Sequence, residues 1–436
     1  MKCLVIGNGG REHAIAWKLA QSPLVEHIYV APGNAGTAFE PKVSNLDIPA
    51  LDVDALLAFA VKENIDLTVV GPEGPLVAGI CDRFMAAGLN IFGPSQRAAE
   101  LEGSKAYSKD FMIRHGIPTA QYAEFTDLTS ALAYLQQRPY PQVIKADGLA
   151  AGKGVFIVTD LAQASTVCRE LLQQQQLGTA GQRIIIEDFI SGEEASFIVM
   201  VDGKNIIPLA SSQDHKTRDN GDKGPNTGGM GAYSPAPIVD DRMHEQIMAQ
   251  VIHPTVQGMA QDGRPYRGFL YAGLMISPVG QIVVLEYNCR LGDPETEVIL
   301  PRLRSDFALL CLAGCQGKLD QVHKVEWDPR TVLGVVLTAG GYPDTYQKGD
   351  EITGLDRLTD PDVKCFHAGT AQENGRIMTN GGRVLCLTAC DGNVQSAHKR
   401  AYRAVNTLHW KGVYYRTDIG FRAIAKTLGH TRNDGL

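Results

Sequence analysis

The sequence predicts a multidomain chain of mixed α/β and α+β class that opens on a doubly wound parallel sheet. Three observations carry that expectation. Short β-rich runs alternate with helical patterns through the first hundred residues, with glycine at the strand ends. From residue 192 the pattern changes to antiparallel-looking strands around a long glycine-rich loop, "TRDNGDKGPNTGGMGAYSP" (217–235). After Trp327 a further unit begins with "TVLGVVLTAGGYP". The 436 residues suit two to four domains, at about 150 residues each.

Taken in order, "KCLVIG" (2–7) reads as a first buried strand, followed by a helix from Arg11 to Ala20. "HIYVA" (27–31), "DLTVVG" (66–71) and "NIFG" (90–93) read as further strands, with helices over 52–63 and 75–87. Sheets of this kind bind ligands at the carboxyl ends of their strands. Residues 104–116 form another helix, and "HGIPTA" (115–120) is a hinge into a smaller α/β piece from 121 to about 190. That piece holds "KADGLAAGKGV" (145–155) and "RIIIEDF" (183–189). The strands "RGFLYAGLMIS" (267–277) and "QIVVLEYN" (281–288) follow, and the last unit closes near 425, ahead of a polar, loose tail.

Composition excludes several classes. A net charge of −7 with no long run of one sign argues against a nucleic-acid partner, which requires a concentrated basic surface. No apolar run approaches the roughly 20 residues of a membrane span, and "MKCLVIGNGG" is too soon interrupted for a secretory signal. The nine cysteines are scattered; Cys311/Cys315 and Cys386/Cys390 have no second pair to complete a zinc site. They are expected as buried thiols in a reducing cytoplasm. No coiled coil demands association, which leaves a monomer or a weak homodimer.

Two glycine motifs fail the forms they first suggest. In "KADGLAAGKGV" Gly148 stands one residue too close to Gly152 for a P-loop, and Gly154 takes the place of the hydroxyl residue after Lys153. In "GNGGREH" (7–13) the third glycine of a dinucleotide fingerprint falls on Glu12, and the second strand ends in Ala31-Pro32 without an acid. Backbone N–H groups at a helix start still attract an anion. Asn8, Gly9, Gly10 and Arg11 either receive a phosphate or carboxylate or form a tight turn with Arg11 solvated. "GPEGPL" (71–76), with Glu73, closes a parallel strand at the same rim.

The segment "QIVVLEYNCRLGDPETEV" (281–298) is the most informative. Residues two apart on a strand share a face, so Glu286 and Asn288 project together. A carboxylate and an amide oxygen are hard ligands suited to Mg²⁺ that keeps waters and substrate phosphates. An acid ending a strand also caps loops, but the polar density of Arg290, Gly292, Asp293 and Glu295 favours the metal. In "RIIIEDFISGEEASF" (183–197), Glu187 to Phe189 suit an adenine edge and Glu193 or Glu194 a ribose, although an acidic hairpin turn has the same appearance. Lys145 ends a strand and Lys105 sits in a helix; a lone lysine usually snorkels to solvent. Two lysines, a glycine loop and a carboxylate pair together suggest triphosphate neutralisation.

In this order the pieces resemble the ATP-grasp superfamily, whose nucleotide lies between two α+β subdomains. Within it, "GNGGREH", "KADGLAAGKGV", "SSQDHKTRDNGDKGPNTGGMGAYSP" and "EYNCRLGDPE" are similar to the glycinamide ribonucleotide synthetase family over essentially the whole chain. The resemblance implies an N-terminal domain over 1–103 and an ATP-grasp region over 104–326 with its flexible part at about 121–190. A C-terminal domain over 327–425 and a tail at 426–436 complete the layout. It implies a cytoplasmic ligase that joins glycine to 5-phosphoribosylamine in purine biosynthesis, using ATP and Mg²⁺ or Mn²⁺. Glu286 and Asn288 match the family's metal ligands. Lys105, Lys145, Gly152, Lys153, Glu187, Phe189 and Glu194 match its nucleotide contacts, Lys153 lying in the loop over the phosphates and sharing a catalytic role with Arg290. Asn8, Gly10, Glu73, Asp214, Lys216, Asn226, Thr227, Gly228, Arg290, Gly292 and Asp293 fall on motifs lining the glycine and ribose-phosphate side.

One departure stands out. Many superfamily members supply another metal-binding acid from the preceding strand, where "YAGLMIS" offers Gly273, Leu274 and Met275. A biotin-dependent carboxylase shares the layout, but the loop at 211–235 argues against it. For His215, ligand contact and loop structure are both open.

Overall fold

The structure, a computed structural model, describes residues 1–150 and 154–433, the side chains of 428–433 apart. The chain begins with a five-stranded parallel sheet in the order Val43–Asn45, His27–Pro32, Lys2–Gly7, Leu67–Val70, Ile91–Phe92. Lys2–Gly7 is central because five of its six residues are buried. The strand order reverses between it and Leu67–Val70, which makes their carboxyl ends the crevice where such sheets take ligands. Val43–Asn45 escapes sequence reading because "VSN" carries no apolar run. The helix expected over 75–87 is two, Glu73–Val77 and Ile80–Ala86, broken at Gly79, whose φ of +84° is left-handed.

The smaller piece is a four-stranded antiparallel sheet in the order Tyr122–Phe125, Ile184–Asp188, Gln142–Ala146, Val155–Val158. Helices Leu128–Leu135 and Leu161–Leu172 cover it, each started by an aspartate, Asp127 or Asp160, that accepts a backbone N–H of the first turn. It has its own core, including Leu135, Ile144, Leu171 and Ile186. A second antiparallel sheet runs Ile206–Pro208, Glu193–Asp202, Arg267–Ile276, Ile282–Asn288. Its Phe197, Val199 and Leu270 share one core with Leu4, Ile6 and Val70 of the first sheet, so the carboxyl-end crevice and the Glu286 strand are held in fixed register.

The third sheet runs Gln213–Asp214, Gly231–Ser234, Thr331–Thr338, Arg383–Asp391, Val363–His367. Its first two strands come from the 211–235 segment, well upstream of the expected boundary at 327. Gly231 permits the pairing: a side chain there would lie 2.6 Å from the Gly334 carbonyl. The remainder of that stretch is not open loop either, because Thr217–Asp219 and Lys223–Asn226 pair as a hairpin. Helix Val394–Val405 packs on this sheet through Ala397, Ala401 and Val405, spaced four apart on one face. Residues 426–433 of the expected tail belong instead to a helix, Phe421–Asn433. All nine cysteines are unpaired, and seven are buried. Among the described residues no helix is long and apolar enough to cross a membrane.

Candidate active site

A cavity of about 670 Å³ opens between the small sheet, the Ile282–Asn288 strand and the 214–228 stretch. Lys105, Lys145, Glu187, Phe189 and Glu194 line it, as do Glu286, Asn288, Arg290 and Asp293. Glu73, Asp214, Lys216, Asn226, Thr227 and Gly228 complete the part of its wall expected from sequence. Gly152 and Lys153 lie outside the described residues.

Strand pairing sets Glu286 opposite Gly273 and Asn288 opposite Tyr271, so both face the cavity. Burial pushes the Glu286 carboxyl up. The fields of Lys216, Lys145, Lys105 and Arg290 outweigh it and hold the group at about 2, ionised at neutral pH. The donor set, one charged carboxylate and one amide oxygen, fits a hard cation.

Glu187 is sandwiched between two ammonium groups, Lys109 Nζ and Lys145 Nζ, each at 2.9 Å. The Lys145 contact is an ion pair without hydrogen-bond alignment. Burial would raise the Glu187 carboxyl, but Lys145 and Lys109 hold it below its ordinary value. Lys109 was missed from the sequence; its i,i+4 spacing from Lys105 on helix Lys105–Arg114 is the signal that identifies it. Burial pulls the Lys105 ammonium down, with Glu286 opposing. The glycine loop is fixed at its root, where Asp147 accepts the Ala106 N–H at 2.8 Å and the Ser104 hydroxyl at 3.1 Å. Phe189 exposes 39% of its surface at the rim, a flat apolar face in a wall that Val143, Val155, Ile157 and Met275 also line.

Next to the carboxylate–amide pair, Lys216 meets Glu194 at 3.1 Å. Burial would lower the Lys216 ammonium, yet Glu194 and Asp214 hold it up. Asp214 is pushed well above the carboxylate range by burial and by Glu295. Glu295, a mention without a role in the sequence, accepts hydrogen bonds from Ser196 Oγ (2.9 Å) and Tyr271 OH (2.8 Å). His215 has a chain partner for each ring nitrogen: Nε2 accepts the Gly420 N–H of the distant 416–422 segment at 3.0 Å and Nδ1 lies 3.5 Å from Asp222. Asp222, at the hairpin tip, also holds Arg416 and Arg422. The hairpin is therefore tied to the 416–422 segment.

The far end of the cavity carries arginines. Arg290 contacts Glu102 at 2.9 Å and Glu73 at 3.3 Å. Glu102 also accepts the Cys289 N–H, which fixes the turn that aims Arg290. Arg383 arrives from the third sheet to meet Asp293 at 3.1 Å. Nothing in its local sequence pointed to the site. Asn8, Gly10 and Gly292 do not reach the cavity wall. At the first helix the Glu12 carboxylate accepts the Gly9 N–H and pairs with Arg11, so the expected anion position is filled by the chain's own acid. Gly10 packs on Glu297 and Gly292 on Glu295, where added side chains would approach within 2.4 and 2.3 Å.

Comparison with known proteins follows this layout. The chain matches the phosphoribosylglycinamide synthetase N domain over residues 1–102, its ATP-grasp (A) domain over 103–296 and its C domain over 332–422. The chain belongs to the phosphoribosylglycinamide synthetase family. It is similar to phosphoribosylamine–glycine ligase of Yersinia pestis, 59% identical over 98% of this chain and 100% of that one. The Allochromatium vinosum enzyme of the same name is also 59% identical, over 98% and 99%. The crystal structure of phosphoribosylamine–glycine ligase from Thermotoga maritima superposes with a TM-score of 0.81 at 34% identity, covering 96% of this chain and 100% of that one. The biotin carboxylase domain of Hydrogenobacter thermophilus 2-oxoglutarate carboxylase, at 16% identity and a TM-score of 0.73 over 95% and 91%, shares the fold. ATP use follows from the ATP-grasp domain of the family. An ionised carboxylate amid lysines, beside an arginine–carboxylate end, suits transfer of a phosphoryl group between bound anions.

Proposed function

We propose that the chain ligates glycine to 5-phosphoribosylamine, giving glycinamide ribonucleotide, ADP and phosphate in purine biosynthesis. The observation that carries this reading is the ionised Glu286 beside Asn288, in a lysine-lined cavity that also holds Arg290 and the 214–228 stretch. The end-to-end likeness to phosphoribosylamine–glycine ligases supports the substrates.

Glycine's carboxylate resists attack because its carbon is already electron-rich. A carboxylate oxygen therefore takes the γ-phosphoryl group of ATP, breaking the bond to ADP and forming glycyl phosphate. The amine of phosphoribosylamine then attacks the carbonyl carbon, a C–N bond forms, the C–O bond to phosphate breaks and the amine gives up a proton. Lys105, Lys145 and, from the loop, Lys153 neutralise phosphate oxygens, while Phe189 and the Glu187–Phe189 backbone hold the base and Glu194 the ribose. Arg290, aimed by Glu102 and Glu73, steadies the anionic centre. Mg²⁺ or Mn²⁺ held by Glu286 and Asn288 would supply charge neutralisation of the phosphates. Among the described residues no cluster of three acidic, His or Cys side chains offers a fuller cage, so substrate oxygens and water would complete its shell. Asp214 and Lys216 take the glycine side.

In this reading 1–103 and 104–326 build the cavity, with 121–190 as its flexible cover, and 327–425 closes one end. We place the chain in the cytoplasm, where its nine thiols stay reduced, as a monomer or weak homodimer.

Purified protein is expected to release ADP only when glycine and phosphoribosylamine are both present, with amide product in equal amount. ATP turnover with biotin and bicarbonate instead would move the chain to the carboxylase reading. Lys153→Ala is expected to raise the KM for ATP about 10-fold, the loss of one charge-assisted contact; an unchanged KM and rate would show a solvated lysine.

A further inference from the structure

We propose that Arg383, reaching the cavity from the third sheet, anchors the phosphate monoester of the phosphorylated amine substrate. The proposal rests on the ligase reading above and adds the residue that selects a phosphorylated sugar.

The guanidinium is held along one edge and open along the other. Nη1 alone donates to the Gly228 and Asp293 carbonyls, both at 2.7 Å, and lies 3.1 Å from Asp293 Oδ1. Nε and Nη2 donate to no described residue, and neither belongs to the buried unpartnered atoms of the chain. They form the side-on fork that matches two oxygens of a phosphate. Gly228 makes this pose possible, since a Cβ there would lie 2.9 Å from the Arg383 Cζ. The glycine expected on the glycine and ribose-phosphate side is the seat of a guanidinium.

Most other cations of the wall are committed to carboxylates, while Lys105, whose Nζ donates to the Gly148 carbonyl at 3.3 Å, lies in the field of Glu286. Lys109 and Lys145 share Glu187, Lys216 faces Glu194, and Arg290 meets Glu73 and Glu102. Arg11 is likewise committed, to Glu12. Among the described residues of this end, Arg383 is the arginine whose Nε–Nη2 edge has no carboxylate within ion-pair distance, so that edge is the one left for a phosphate. The phosphate that fits is either the ribose 5-phosphate or the phosphoryl group in transfer, and kinetics separate them.

The test compares Arg383→Gln and Arg383→Lys in steady state, with ribose 5-phosphate and ribose as inhibitors. Arg383→Gln is expected to raise the KM for phosphoribosylamine about 10- to 100-fold, the range for a hydrogen bond to a charged group. Its kcat and its KM for ATP and glycine should stay within about threefold, the lysine variant should lie between, and the preference for ribose 5-phosphate over ribose should collapse. A KM for phosphoribosylamine within twofold of wild type would overturn the assignment. So would a loss confined to kcat, which would give the guanidinium to the transferred phosphoryl group. An equal loss for all three substrates, with lysine no better than glutamine, would reduce Arg383 to a structural prop. Wild-type protein that makes no amide would overturn the ligase reading itself and this proposal with it.

Discussion

Glu286→Gln is expected to lower turnover by about 10²- to 10³-fold while the protein stays folded, the size seen when one charge-stabilising group is removed from a preorganised site. Glutamine keeps the volume and one oxygen beside Asn288, so packing on the Ile282–Asn288 strand survives. What disappears is the charge that Lys216, Lys145, Lys105 and Arg290 converge on. Asn288→Asp provides the opposite control: it adds charge and keeps the oxygen, and should retain far more activity than Asn288→Leu. Mn²⁺ binding followed by electron paramagnetic resonance gives a readout independent of turnover and should weaken in Glu286→Gln. Because the carboxyl is depressed to about 2, its contribution is full above the unfolded value of about 4.3 and is lost as pH falls toward 2. The group therefore imposes no limb on the rate profile between pH 5 and 8. Near-normal turnover of Glu286→Gln at saturating Mg²⁺ would remove the carboxylate from the metal site.

What was legible in the sequence was local. The period of two in "LEYN" put Glu286 and Asn288 on one face before any pairing partner was known, and continuous apolar runs marked the strands. What was not legible depends on partners far along the chain. Asp222 reads as a turn residue, yet its charge meets Arg416 and Arg422, 194 and 200 residues away. Those distant partners turn an apparent glycine-rich loop into a pinned hairpin. Arg383 meets the Asp293 carbonyl across 90 residues, with nothing in "GGRVLCL" to say so. Competition misled in the first helix. The rule that helix starts attract anions is sound, but Glu12 is three residues from Gly9 and captures the N–H itself. His215 was undecided for the same reason, since a buried imidazole is read only once its two partners are located.

Removing the carboxylate of Glu187 tests the other buried charge cluster. Glu187→Gln leaves two ammonium groups, Lys109 and Lys145, buried without their shared counter-ion, and breaking such a pair from one side costs about 3–5 kcal/mol. Hydrogen exchange of strands 142–146 and 184–188 is the suitable measurement, because it reports the small sheet rather than a composite of several domains. The pH dependence has a definite sign. Burial already pulls the Lys109 ammonium down to about 8, with Glu187 opposing; without Glu187 it falls further. A lysine lowered in the fold destabilises fully below its folded value and is relieved as pH rises toward the unfolded value of about 10.4. The variant should thus be most impaired near pH 6 and recover toward pH 9. Adding Lys109→Met should restore part of the loss at pH 6, because it removes the uncompensated charge and fills the same space. If the two substitutions simply add, or the single variant shows the wild-type pH slope, the lysines have found another counter-charge and Glu187 is not the group that holds them.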